Sequence, residues 1–315
     1  MNSSPSKSAW SQRLSLLGLM VTHITITGGG YVFNKLALRE FHPIAFGFWR
    51  LTIGLFGLTA VALIARAWPK IERRDWPRVI LLALVAVPVN QLIYLYGMSL
   101  TMPSHAALLY GTTAVFALFL SAALGYEKIL PHKVVAIIVA LAGLALVVSR
   151  GGPVDFHSQM FLGDLLIFTA VLAWATYTVL GKPLVVKYGA LPMTCLLLIV
   201  GTVISLPFLI HHAMIQDYSR ITWIGWSGAF YSGLMLTIVA YVVWYSILTR
   251  VEPAQVAILT TPQPVVATTL SAYFVGEVIG WPLVFGGLLV IAGVILMDAP
   301  AFMRRAERLR RKVTG

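Results

Sequence analysis

The chain has 315 residues, of which 59% are hydrophobic and only 11% charged, and its mean hydropathy is +0.86. Soluble proteins carry roughly 25% charged residues, so a water-soluble globular domain is excluded and lipid must solvate most of the chain. The net charge of +12 would point to nucleic acid in a soluble protein; here its placement along the chain decides its meaning.

Apolar stretches of spanning length fall at 14–36, 43–65, 78–100, 104–125, 131–149, 162–182, 191–211, 226–249, 254–275 and 281–298. A bilayer core takes about 20 residues per helix, so the expectation is an all-α integral membrane protein of ten transmembrane helices with short loops. Pro43, Pro77, Pro103, Pro131, Pro192, Pro253 and Pro282 stand near the starts of runs, where a missing N–H does no harm. The first run follows Lys7 and Arg13 but is too long for a signal-peptide core, and it reads as a retained helix. The lone Cys195 sits in an apolar run, which leaves no intrachain disulfide and no cysteine metal cluster.

With the N-terminus in the cytoplasm, eighteen Lys and Arg fall inside and four outside (Lys35, Arg39, Arg150, Arg220), while Arg50 lies within a span. That asymmetry is the positive-inside rule. It explains the basic balance without nucleic acid and predicts a multi-pass protein of the cell membrane with both termini cytoplasmic. The tail 301–315, with Arg304, Arg305, Arg308, Arg310, Arg311 and Lys312, fixes topology and can also attract anionic lipid.

The sequence also matches itself at an offset of 150 without gaps: Pro103/Pro253, Ser121/Ser271, Glu127/Glu277, Ala142/Ala292 and Gly143/Gly293, among other pairs. Lys35 and Lys182 end the first and sixth runs, and Pro43 and Pro192 open the next ones. Two units are expected, 12–150 and 151–300, each of five helices. Five is odd, so the second copy enters the membrane upside down, with Glu127 at the cytoplasmic face and Glu277 at the outer face. Inverted repeats are a recurrent build of secondary transporters, with substrate held near the midplane between the copies.

These features carry a family resemblance. Ala106-Ala107-Leu108-Leu109 with Gly125-Tyr126-Glu127 and Gly143 are similar to the EamA-type members of the drug/metabolite transporter superfamily. So are Pro253-Ala254, Leu259-Thr260-Thr261-Pro262-Gln263-Pro264-Val265, Gly276-Glu277 and Ala292-Gly293. Trp174 followed by Gly181-Lys182 resembles that family's pattern at the start of a repeat; the first helix has Gly28-Gly29-Gly30-Tyr31 where a tryptophan would stand. The resemblance implies a five-plus-five helix fold and export of amino acids, their derivatives or other metabolites.

Arg50 lies about seven residues into the second helix, roughly 10 Å deep, where an ionisable side chain must face a partner or a wet cavity. It is either a clamp for a substrate carboxylate or a structural or snorkelling charge, with Glu40 as a candidate partner. Lys35, nearer the boundary, is expected to snorkel. His23, mid-way along the first helix, is either a proton relay or a neutral side chain bonded to a neighbouring helix. Pro262-Gln263-Pro264 predicts a break in the ninth helix that frees carbonyls toward a cavity, and Pro88 should loosen the third helix near Asn90 and Gln91. Repeat register adds Gln91/Tyr241 and Tyr94/Trp244, with Tyr110, Trp174 and Tyr177 at comparable depth. The expected site therefore comprises Arg50, Asn90, Gln91, Tyr94, Tyr110, Trp174, Tyr177, Tyr241, Trp244 and Gln263, apolar walls with a few amides and phenols that suit a small amphipathic ligand. No Walker loop, dinucleotide fingerprint, His-Glu-x-x-His or Ser/His/Asp context is present, so no cofactor or metal is expected. A membrane-embedded enzyme or a non-transporting receptor bundle is the alternative.

Overall fold

The computed structural model describes residues 7–66, 68–126, 130–149, 155–240, 243, 247 and 262–296. Among the described residues ten longer helical segments follow one another, with a short 3-10 turn at Tyr218–Arg220 before the eighth: α1 (Lys7–Ala37), α2 (Pro43–Ile64), α3 (Arg73–Leu100), α4 (Pro103–Ala123), α5 (Pro131–Ser149), α6 (Gln159–Tyr188), α7 (Ala190–Ile215), α8 (Trp223–Val239), α9 (Gln263–Phe274) and α10 (Trp281–Leu296). Among the described residues there is no strand. The first seven are long and apolar enough to cross a membrane, while α8 and α10 are shorter apolar helices. Several helices run past their apolar stretch: α6 continues to Tyr188 and α3 begins at Arg73, because a helix emerging into the headgroups keeps its own hydrogen bonds and loses nothing by continuing.

Local chemistry sets the ends. His42 caps α2 by accepting from the Ile44 N–H, with Pro43 in the first turn; Ser158 caps α6 through the Phe161 N–H at 3.1 Å, and Thr222 caps α8. Gly125 and Gly276 stop the chain after α4 and α9 with φ of +72° and +76°, a region open to glycine at no steric cost. The third helix is loosened where Pro88 predicts it: Val85–Leu92 is π-helical around that proline. Tyr231–Val239 in α8 is π-helical as well, a feature the sequence reading does not contain.

Helix α2 packs on α7 and α8, α3 on α6 and α7, α4 on α6 and α9, and α1 on α8 and α9. Helices α5 and α10 meet at glycines: a Cβ on Gly143 would stand 2.5 Å from the Gly286 carbonyl oxygen, and one on Gly293 would stand 2.7 Å from that of Ala136. Small residues are what let membrane helices approach this closely. Gly28, Gly29 and Gly30 act likewise, facing Val266, Tyr231 and Leu236, and α1 runs through them as one helix. At the α1–α2 end of the bundle Phe41, Phe46, Trp49, Tyr218 and Trp226 form an aromatic cluster.

Candidate functional site

Arg50 is 7% exposed on α2. Its guanidinium carbon stands 6.0 Å from the centroid of the Tyr94 ring, at the outer reach of a cation–π contact. Glu40, the partner anticipated from sequence, is engaged elsewhere: its carboxylate accepts from the Thr222 N–H and hydroxyl, both at 2.8 Å.

Around it, Asn90 on the π-helical stretch of α3 and Tyr94 in the α-helical turn that follows are buried, 3% and 7% exposed. Asn90 donates to the Ala170 carbonyl on α6 at 2.7 Å and to the Tyr110 hydroxyl on α4 at 3.0 Å. Tyr94 receives the Asn34 side-chain amide at 3.0 Å, and the Ser232 hydroxyl donates to Asn34. Tyr31, Tyr94 and Tyr110 form a mutual edge-to-face trio with centroid separations of 6.4, 6.4 and 5.6 Å. Helices α1, α2, α3, α4, α6 and α8 thus all supply side chains or carbonyls to one polar and aromatic knot inside an apolar bundle.

A cavity of about 110 Å³ opens beside Tyr110, lined by α4, Gln263 and Pro264 of α9, and Val290, Ile291 and Val294 of α10. The described part of α9 begins at the Pro262-Gln263-Pro264 motif, with Pro262 just before the helix and Pro264 in its first turn; the residues that would form the other side of the expected break lie outside the described residues.

Of the expected set, then, Arg50, Asn90, Tyr94 and Tyr110 come together, and Gln263 joins through the cavity at Tyr110. Gln91 is half-buried on the same π-helical stretch. Trp174 and Tyr177 sit one and two turns along α6 from Ala170 and pair with each other at 5.1 Å. Tyr177 packs against two apolar clusters, one that includes Leu82 of α3 and one that includes Leu198 of α7. Tyr241 and Trp244 lie outside the described residues. His23 is half-buried on α1 and bonds the Ala240 backbone. The expected snorkelling of Lys35 is overturned. Its ammonium turns inward onto three carbonyls at the end of α3, because those groups have no helical partner of their own.

Sequence reasoning misses Tyr31 and Asn34. Their signal is present: Tyr31, Asn34 and Lys35 are spaced i, i+3, i+4 and share one face of an otherwise apolar helix.

The family model for EamA-like transporters matches residues 14–149 and again 161–297, and the chain belongs to that family. An uncharacterized transporter of Archaeoglobus fulgidus is 28% identical over 284 residues, 89% of this chain and 96% of that one. The uncharacterized transporter YetK of Bacillus subtilis is 27% identical, covering 87% and 83%. A probable terminal-alkyne amino-acid exporter of Streptantibioticus cattleyicolor is 26% identical over 266 residues, 83% and 88% of the two chains. A solved crystal structure shares the fold over 93% of this chain and 99% of that one, with a TM-score of 0.64 at 18% identity. This is a multi-pass membrane protein of a transporter family.

Proposed function

We propose that the chain is a secondary transporter of the cell membrane that exports a small carboxylate-bearing metabolite, an amino acid or a derivative of one, by alternating access between two inverted five-helix repeats, 12–150 and 151–300. The observation that carries the substrate reading is the burial of Arg50 against Tyr94, with the amides of Asn34 and Asn90 bonded to the neighbouring tyrosines. A carboxylate entering beside the guanidinium would meet its preferred bidentate partner, and the tyrosines and the cavity at Gln263 would take the rest of the solute. The name of the Streptantibioticus relative, an amino-acid exporter, agrees with this choice.

The helix contacts support the inverted-repeat mechanism. Exchanging each helix for the one five places on turns α3–α6 into α8–α1, α4–α6 into α9–α1, and α3–α7 into α8–α2, and each of these pairs is in contact; α2–α7, α4–α9 and α5–α10 map onto themselves. Two equivalent units give this pattern, and two near-equivalent arrangements of their interface give one state open to each side. In this reading the α1–α2 end faces outward, both termini are cytoplasmic, and the tail 301–315 lies against anionic lipid.

Flux of labelled amino acids in proteoliposomes tests the proposal. Arg50→Ala should lower transport of carboxylated solutes about 10- to 150-fold, the worth of a hydrogen bond to a charged group, with the protein still folded, and Arg50→Lys should restore part of it. Unchanged flux in Arg50→Ala would remove Arg50 from the site.

A further inference from the structure

A second polar assembly stands where α3 hands over to α4, at Thr101-Met102, and the substrate reading makes no use of it. Lys35 of α1 places its ammonium 3.1, 2.9 and 2.6 Å from the carbonyl oxygens of Met98, Ser99 and Thr101. Asp164 of α6 is 4% exposed; it accepts from the Thr101 hydroxyl and lies 3.0 Å from Nδ1 of His105. Glu277, in the non-helical segment after α9, accepts from the Ser104 hydroxyl through Oε1 and from the Ser271 hydroxyl through Oε2 at 2.5 Å. Arg39 donates to the Val275 carbonyl at 3.0 Å.

The arrangement has a direction. Asp164 and Glu277 both come from the second half and stand on two sides of the first turn of α4, where the helix dipole favours negative charge. Their partners Thr101, Ser104 and His105 all belong to the first half. Glu277 is held once by its own half, at Ser271, and once across the halves, at Ser104. The segment carrying it, 275–280, is non-helical and contains Gly276 at positive φ, and the N–H groups of Val275 and Glu277 both bond the Ser271 carbonyl, which anchors its start on α9. Glu277 is thus anchored on its own half through Ser271, by backbone and side chain, and its bond to Ser104 is the one that crosses the gap.

We propose that this junction is the gate at the α1–α2 end of the bundle, latched by the carboxylate of Glu277 on Ser104, and that releasing this bond opens that end. The inference rests on the alternating-access reading, though not on the substrate. A charged acceptor makes hydrogen bonds roughly twice as strong as a neutral one, so removing the charge weakens the latch even where the shape is kept. At the offset of 150, the counterparts of Glu277, Ser271 and Ser104 are Glu127, Ser121 and Ala254. The acid and its own-half serine recur in the sequence, but the cross-half hydroxyl does not.

The test needs no solute. In the full-length chain carrying Cys195→Ser, a reporter cysteine replaces Ala107, which is 2% exposed one turn beyond Ser104 and lines the cavity. A second reporter replaces Leu184, 2% exposed near the opposite end of α6. Labelling by a polar maleimide is timed in lipid nanodiscs, where both faces meet water. Glu277→Gln and Ser104→Ala should each raise the rate at position 107 about tenfold and leave that at 184 within twofold. Rates at 107 within twofold of the parent, or a rise at 184 equal to that at 107, would overturn the proposal, the latter by showing general loosening instead of a gate. Loss of flux in Arg50→Ala is independent of these rates, so failure of the gate and failure of the substrate site are separable.

Discussion

The α5–α10 seam supplies a prediction whose size follows from distances. A Cβ added at Gly143 would lie 2.5 Å from the Gly286 oxygen and 2.7 Å from both the Leu289 Cβ and the Val290 nitrogen. Ordinary contact begins near 3.4 Å, so Gly143→Ala requires α10 to retreat by about 0.9 Å, and the obstructing atoms are mostly backbone. Overpacking of this kind costs about 1–3 kcal/mol, here toward the upper end because no flexible side-chain tip can yield. The gain in helix propensity on replacing glycine by alanine returns about 1 kcal/mol, leaving a net loss of about 1–2 kcal/mol. Gly293, the repeat partner of Gly143, meets Ala136 and Ala140 at 2.7 Å in the same way, so Gly293→Ala should cost a similar amount. Gly181→Ala is the control: its Cβ meets only Leu82, at 3.9 Å, and the propensity gain should stand alone. Cys195, buried at 1% exposure, gives the assay, since a thiol-reactive fluorogenic dye reports its release on thermal unfolding. The melting temperature should fall by about 2–5 °C for Gly143→Ala and Gly293→Ala and hold or rise for Gly181→Ala. A Gly143→Ala protein as stable as the parent, or a Gly181→Ala protein equally weakened, would refute the packing argument.

Two further outcomes follow from polar contacts. Lys35→Met strips the ammonium from three carbonyls that end α3 and should lower stability by about 1–3 kcal/mol, the cost of buried acceptors left unmet; the same melt checks it, and an unshifted curve would show that water replaces the ammonium freely. His42, at the turn before α2, stacks on His212 with centroids 5.4 Å apart, and partial burial together with that second imidazole holds its pKa below the ordinary 6.5. The folded state thus disfavours the charged ring, so stability present above pH 6.5 should be lost as pH falls below it. His212→Gln should flatten this acid limb of the melting profile, and an unchanged limb would assign it to other groups.

The fold was legible where physics leaves few alternatives. Lipid demands helices, prolines mark their starts, and Pro88 announces the π-helical stretch that carries the buried Asn90. Arg50 could be picked out because a charge at that depth is costly. Its surroundings could not, since burial beside Tyr94 instead of pairing with Glu40 depends on how α3 and α8 pack against α2. Lys35 was misjudged for a related reason: depth along one helix does not reveal that a neighbouring helix ends at the same level with carbonyls to spare. Asp164 likewise reads as a boundary residue from its position, and only the close approach of α6 to the α3–α4 junction, where a Cβ on Gly163 would lie 2.8 Å from the Thr101 nitrogen, brings it against Thr101 and His105.

Everything functional in this account requires the second unit to lie in the bilayer reversed with respect to the first. Tyr126 and Val278, 61% and 89% exposed beside the two repeat-related glutamates, can each be replaced by cysteine in the Cys195→Ser chain and probed in intact cells with a membrane-impermeant thiol reagent. The account predicts that the cysteine at 278 reacts from outside and the one at 126 only after the membrane is opened. Both reacting from the same side would contradict it.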